Sequence, residues 1–445
     1  MNVKYINSAT VIIENKGIKV LCDPWLVDGA YYCSWCHYPP LDINMEDYFA
    51  VDYIYISHVH PDHLNIETLK NFPKHIPVLI HDYEQKFVLR ILSMIGFKNI
   101  IEIGHKKSFN LGKDFSIEVL AADNCDPLKC GLFLGCSVGP GYSKSLSIDS
   151  IAVFSSNESV VVNTNDCPYD LASDVCKYIK SKYKIIDLLL VGYLGAGPFP
   201  QCFPEISDAK KVVACENKKN NFFNQTIKFI SSLEPKTFIP FAGKYTLAGN
   251  LYKLNKWRGN PEQEELYTDF LPLLGKSNIN SQMLLLDRQT EIDVKDKNIK
   301  SDYKKINKDE KEEYIKNNLS KRKFTYQMEE IIEEKLLIDL LNKAQDRKLN
   351  MQKTYNFYSN WNLYLEIDKE FIIKVPYIED KIKIVKNVSN DVPWIKVGLD
   401  LNMLSAIMNR RAHWNNLEIG SHLKFYRSED TYVRGIHHFL SFFHA

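Results

Sequence analysis

The 445-residue chain has no cysteine beyond Cys215, no apolar run long enough to cross a membrane, and almost no net charge. Each absence excludes a class of protein. A secreted scaffold stapled by disulfides is shorter and denser in cysteine, so the ten thiols are expected free, in a reducing compartment. The best apolar run, Ile185-Ile-Asp-Leu-Leu-Leu-Val-Gly, carries Asp187 and soon meets Gly195, Gly197 and Pro198. It is too short and too polar for a bilayer, and no membrane partner is expected. Residues 1–16 lack an apolar stretch before a small-residue cleavage site, so a cytoplasmic location is expected. Lys+Arg 56 against Asp+Glu 55 leaves a charge of +1, which gives no basic field to attract nucleic acid. No internal repeat or low-complexity segment is present.

What remains is an ordinary globular composition, 45% hydrophobic and 12% aromatic, with length for roughly two to three domains. Short β-rich runs fall at 19–22, 53–56, 78–80, 116–120, 159–163 and 188–191, with helical candidates at 85–95, 172–183 and 220–233 between them. That alternation predicts a layered α/β domain over 1–290. Residues 291–350 are rich in mixed charge and carry an amphipathic stretch at 328–341, which predicts a solvated helical connector. Alternating runs at 361–367, 371–375, 381–385 and 394–398, then a helix over 401–410, predict a smaller α+β domain over 351–445 with an antiparallel sheet.

The chemistry concentrates in Ser57-His58-Val59-His60-Pro61-Asp62-His63-Leu64, directly after a predicted strand. Three imidazoles and a carboxylate within six residues can converge on metal; the alternative is a polar turn with chance histidines. His58 and His60 share one side of an extended segment. Imidazole and carboxylate suit zinc and iron alike, so ligand type leaves the ion open. Asp166 lies just past the strand 159–163, where a carboxylate needs either a cation or a helix to cap, and Pro168 and a helix do follow.

This motif, with an opening strand expected over Tyr5–Glu14 and Leu21-Cys-Asp-Pro-Trp-Leu26, resembles the metallo-β-lactamase superfamily. The resemblance implies a four-layer αββα sandwich with metal at one edge. Val162-Asn-Thr-Asn-Asp166-Cys167-Pro, Leu194-Gly-Ala-Gly-Pro-Phe-Pro200 and Ile239-Pro-Phe-Ala-Gly243-Lys-Tyr are similar to segments of CMP-N-acetylneuraminate hydroxylase catalytic domains. By that resemblance Asp166 binds or bridges metals. The superfamily's two further histidines have no counterpart, because no histidine lies between His105 and His413. Near the first position Asp123 is the best substitute, with Asp126 behind it; near the second, Phe241-Ala-Gly243 offers no ligand. Either one metal binds, or distant residues such as His413 or His422 complete the shell. The expected sets are His58, His60 and Asp123 for one ion and Asp62, His63 and Asp166 for another, with Asp62, Asp166 and Tyr193 as catalytic candidates.

A site poor in histidine and rich in carboxylate suits iron with positions open to O2. The resemblance implies the same: an iron- and O2-dependent oxidoreductase acting on a polar metabolite such as a nucleotide-activated or amino sugar. The hydroxylases carry a Rieske domain, whose paired Cys-x-His and Cys-x-x-His are not found here, so an external electron donor such as a ferredoxin is expected. The alternative is a zinc or manganese hydrolase of a phosphodiester, lactone or amide; a third reading is a binding protein on a decayed site.

Lesser signals have plainer readings. Cys33-Ser-Trp-Cys36-His37 matches a haem-attachment pattern but reads as a pocket-rim loop. Cys125, Cys130 and Cys136 read as loop thiols. Gly192-Tyr-Leu-Gly-Ala-Gly197 reads as a site rim, with Tyr193 a substrate contact. Asp23, at a strand end, is expected to hydrogen-bond a ligand histidine. His413, His422, His437, His438 and His444 read as packing or surface residues before ligands.

Overall fold

Alternate residues of a strand face opposite ways. In the strand Ser150–Ser155, Ala152 and Phe154 point one way, Ile151 and Val153 the other, and all four are fully buried. A strand apolar on both faces must be covered on both. The structure, a computed structural model, describes residues 1–277, 279–297, 303–367, 371–378 and 381–445, and shows how. Asn298, in the charged stretch, lies outside the described residues.

Two seven-stranded sheets stack face to face. One runs in the order Glu291–Asp293, Asn2–Asn7, Thr10–Asn15, Ile18–Cys22, Tyr53–Tyr55, Val78–His81, Ile100–Ile103. The other runs Gln282–Met283, Thr237–Phe241, Leu188–Gly192, Val160–Asn163, Ser150–Ser155, Phe115–Ala121, Lys107–Gly112. Val11, Tyr55 and Leu79 of the first interlock with Val119, Phe154 and Leu190 of the second. Leu69, Val88 and Leu92, from the helices Ile66–Asn71 and Phe87–Met94, cover the outer face of the first sheet. The helices Tyr169–Tyr183 and Asp208–Leu233 cover the second through Val175, Ile179, Phe223 and Ile230. This is the four-layer αββα sandwich.

Some elements differ from expectation. The opening stretch is a hairpin of two strands, Asn2–Asn7 and Thr10–Asn15, turned at Ser8 with φ 40°. The helix over 220–233 begins at Asp208, where the Ser207 side chain accepts from Lys210 N.

The C-terminal sheet runs Lys383–Val385, Ile372–Pro376, Asn362–Glu366, Trp394–Gly398, Lys424–Arg427. It is mixed rather than antiparallel, because Asn362–Glu366 pairs parallel with Trp394–Gly398. The expected helix at 328–341 lies later, at Glu334–Thr354, and its Leu337, Leu341 and Ala344 join the core of this sheet. That core also takes in Cys136, Cys202 and Phe203 from the sandwich. No helix among the described residues is long and apolar enough to cross a membrane.

The register sets the site. Ala121 pairs with Ser150 and Ala152 with Asn163. Across the sheets Ser150 Oγ donates to Ser57 O at 2.8 Å and bonds Tyr55 Oη at 2.8 Å, so the ends of these strands meet that of Tyr53–Tyr55 at one edge of the sandwich.

Candidate metal centre

The segment leaving Tyr53–Tyr55 buries its side chains at that edge: His58 and His63 are fully buried and Asp62 nearly so. One carboxylate organises it. Asp23 accepts Ser57 N at 2.8 Å through Oδ1, and Ser57 Oγ at 2.6 Å and His63 Nδ1 at 2.7 Å through Oδ2. Asp23 has φ 45°, in the left-handed region that Asp tolerates better than most residues. Its place beside a ligand candidate is the one the sequence suggested.

These bonds fix tautomers. His63 donates from Nδ1 to Asp23, so Nε2 of the neutral ring is a lone pair. That atom is buried, has no well-formed hydrogen bond among the described residues, and lies 3.6 Å from Asp62 Oδ2 and 3.3 Å from Asp166 Oδ2. Ser57 Oγ donates to Asp23 and accepts from His58 Nδ1 at 2.9 Å, so His58 Nε2 is also a lone pair. His60 Nε2 donates to Asn415 Oδ1 at 3.0 Å, so its Nδ1 is a third. His58 Nε2 and His60 Nδ1 face each other at 2.9 Å. Two facing lone pairs, and a lone pair facing two carboxylates, each require a proton or a cation between them. The residues fit a metal on this ground.

Electrostatics agree. Burial disfavours the His63 imidazolium, but Asp166, Asp62 and Asp23 outweigh it and hold its pKa well above the usual histidine value. Burial, with His63 and His60, pushes His58 well below that value. Burial raises Asp62 against the pull of His63. Burial and Asp166 push Asp149 up to about 7, His63 opposing. Burial would raise Asp166 as well, but His63 holds it low. Without a cation, the proton demanded between His63 Nε2 and the carboxylates sits on that ring, and one proton cannot satisfy Asp62, Asp149 and Asp166 together.

Two groups have donor atoms mutually within 4.8 Å: His58, His60 and Asp149, and His58, His63 and Asp166. Asp149 immediately precedes the strand Ser150–Ser155, and its Oδ1 lies 3.9 Å from His58 Nε2. Sequence reasoning missed it; the available signal was an acidic residue at the start of a strand buried on both faces. Asp62 Oδ1 accepts from Tyr31 Oη at 2.8 Å, which leaves Oδ2 on the His63 side.

The remaining candidates sit elsewhere. Asp123 is buried but accepts from Ser145 Oγ at 2.7 Å and Cys125 N at 3.1 Å, within its own loop, and belongs to neither group. Asp126 caps the helix Pro127–Leu134. Tyr193 packs with the outer core of the second sheet, its charged neighbours being Glu262 and Glu264 rather than the histidines. His422 clasps two segments, with Nε2 to Tyr31 O at 2.8 Å and Nδ1 to Tyr326 Oη at 3.0 Å. His413 donates its backbone N–H to Tyr32 Oη. Neither histidine enters a donor group. The His37 ring packs on Trp25 at 3.9 Å.

Asn415 comes from the C-terminal part of the chain. Asn415→Ala frees the His60 ring to turn, and we expect metal affinity to fall roughly tenfold, the usual effect of losing a hydrogen bond to a ligand histidine. Metal titration of the variant, with an unchanged melting temperature, checks this.

Residues 2–126 match the model of a family described as the beta-lactamase superfamily domain. A protein named as a Rieske 2Fe-2S iron-sulfur protein from Mycolicibacterium smegmatis is 30% identical over 272 residues, 59% of this chain and 47% of that one. The cytidine monophosphate-N-acetylneuraminic acid hydroxylase of Danio rerio is 24% identical over 252 residues, 55% of this chain and 38% of that one. The chain thus spans half or less of the length of these two relatives. Among solved structures, the isothiocyanate hydrolase from Delia radicum gut bacteria matches with TM-score 0.42 and 15% identity, over 66% of this chain and 99% of that one. Residues 2–126 form a domain of the β-lactamase superfamily.

Proposed function

We propose that the chain is an iron- and O2-dependent oxidoreductase that hydroxylates a polar metabolite, such as a nucleotide-activated or amino sugar. The observation that carries this reading is the donor set: three imidazoles and three carboxylates at one edge, with no cysteine in either donor group. Hard oxygen donors with imidazole suit iron and manganese, whereas a dizinc hydrolase site is richer in histidine. His58 offers a single free nitrogen and so serves one ion. His58, His60 and Asp149 would hold the first ion; Asp62, His63 and Asp166 the second. Bound iron supplies one-electron and O2 chemistry.

The protein's own groups do the rest. Asp23 and Ser57 fix the His63 and His58 rings. Tyr31 fixes the Asp62 carboxylate. The Asp166 side chain is 36% exposed, which opens the centre to solution on that side. The sequence likeness to a Rieske-named protein and to a hydroxylase supports electron delivery by a separate donor such as a ferredoxin. Ten free cysteines support a reducing, cytoplasmic setting.

Elemental analysis of protein purified anaerobically without added metal tests this. Iron is expected, with reductant-dependent O2 uptake, and His60→Ala and His63→Ala should each lose about half the metal. Stoichiometric zinc, no iron and no O2 uptake would overturn the reading in favour of a zinc or manganese hydrolase.

A further inference from the structure

Beside the metal edge lies a second concentration of charge. The strand Thr237–Phe241 ends at the Ala242–Gly243 turn, and Lys244 and Tyr245 follow. With Arg258, Asn260, Glu262 and Lys311 they line a cleft floored by Leu194 of the Gly-rich loop. Three cations face one carboxylate, Glu262, which pairs with Lys311. In a chain whose overall charge is +1 this is a local excess.

The cleft also holds polar atoms with nothing to bind. Arg258 is 7% exposed, and its Nε has no hydrogen-bond partner among the described residues. Both amide atoms of Asn260 are buried and equally unpartnered. Buried donors are rarely left so, and several lining one cleft mark a missing ligand. The Arg258 side chain is fixed from two sides, since Nη1 donates to Tyr245 O at 2.5 Å and the guanidinium lies 4.6 Å over the Tyr245 ring. Lys244 Nζ reaches Gln263 Oε1 at 2.6 Å, a neutral hydrogen-bond partner. Burial, with Arg288 and Lys311 against Glu262, pushes Lys244 down to about 8, a condition that a bound anion relieves.

The cleft connects to the metal edge through packed aromatic rings. Tyr31, which holds Asp62, lies 4.4 Å from Trp35, and Trp35 stacks on Tyr245 at 3.4 Å and 1°.

We propose that Lys244, Arg258, Asn260 and Lys311 form an anion site that takes a phosphate-type group. Four donors of three shapes, ammonium, guanidinium and amide, suit a tetrahedral oxyanion better than a point contact. Its occupant is a phosphorylated small molecule, either the substrate of the neighbouring centre or free phosphate. The site stands on its own residues and does not depend on which metal the centre holds.

Calorimetric titration of the full-length protein with inorganic phosphate and pyrophosphate tests it, beside Lys244→Met, Asn260→Asp and His60→Ala. Circular dichroism confirms folding, and Lys311→Met replaces either cleft variant that fails to fold. We expect millimolar or tighter binding, weakened at least about tenfold in the cleft variants with metal content unchanged, and retained in His60→Ala. Pyrophosphate binding more tightly than phosphate would point to an esterified phosphate occupant, and equal binding to free phosphate. Binding lost in His60→Ala but kept in the cleft variants would place the anion on the metal and overturn the proposal. So would no binding of either anion.

Discussion

Asp23→Asn is expected to strip metal and stability together. Asparagine keeps the shape and tolerates the left-handed backbone at φ 45°, so the change is confined to one atom. Where Oδ2 accepts from Ser57 Oγ and His63 Nδ1, an NH2 group faces the same two donors. Ser57 can turn its hydroxyl. His63 can comply only by moving its proton from Nδ1 to Nε2, the nitrogen that faces Asp62 and Asp166. The proton then occupies the position a metal needs, and affinity there should fall about 10–100-fold. The strained contact should also cost roughly 1–3 kcal/mol of folding stability. Asp23→Ala, which leaves three buried donors without an acceptor, should cost more. Urea unfolding and metal titration read the two effects separately. An Asp23→Asn protein that binds metal as tightly as the parent would show that the His63 tautomer is not set here.

The sandwich could be read from the chain because its signals are local. Strands buried on both faces appear as short continuous apolar runs, and the runs at 53–56, 159–163 and 188–191 lie within a residue or so of observed strands. Pairing direction is not local. Nothing in 361–367 or 394–398 announces that they lie parallel, since the partner is chosen by the long connection that returns through Ile372–Pro376 and Lys383–Val385. Helix length fails for a related reason. The first turns of Asp208–Leu233 are mostly solvent-facing and carry no apolar stripe, and only Lys211 is buried among them, so the pattern begins late.

The candidate centre divides along the same line. Ser57–Leu64 announces itself because four donor residues stand within a few positions. Asp149 does not, because its proximity to His58 is made by the pairing of Ser150 with Ala121 across a long loop. Asp123 lies at the near end of that loop and Asp149 at the far end. The sequence offers no means of telling which faces the histidines and which turns back onto Ser145. Asn415 is harder still, being brought to His60 from 355 residues away. Tyr193 shows the converse. A glycine-rich loop after a strand suggested a rim, and the loop does line a cleft through Leu194, but the tyrosine itself turns into the core.

Lys348→Met is expected to stabilise the protein, and by an amount that depends on pH. Lys348 lies in the helix Glu334–Thr354, is 0% exposed, and is pushed down to about 7 by burial. Its Nζ donates to Pro376 O at 2.7 Å and sits 4.0 Å from the Tyr377 ring centroid. An unfolded lysine titrates near 10.4, so between about pH 7 and 10 the unfolded chain holds a proton that the folded one has released. Stability therefore rises with pH across this window, and the penalty is complete below it. Methionine fills similar space without the charge. The carbonyl it abandons is still satisfied, because Gln345 Nε2 also donates to Pro376 O at 2.9 Å. Allowing for the lost contact with Tyr377, the gain near pH 6 should be roughly 2–4 kcal/mol, shrinking to under about 1 kcal/mol near pH 10. Urea unfolding of parent and variant at pH 6, 8 and 10 measures the difference directly. A variant less stable than the parent at pH 6, or a gain that does not shrink with rising pH, would mean that the ammonium is well accommodated by the carbonyl and the ring.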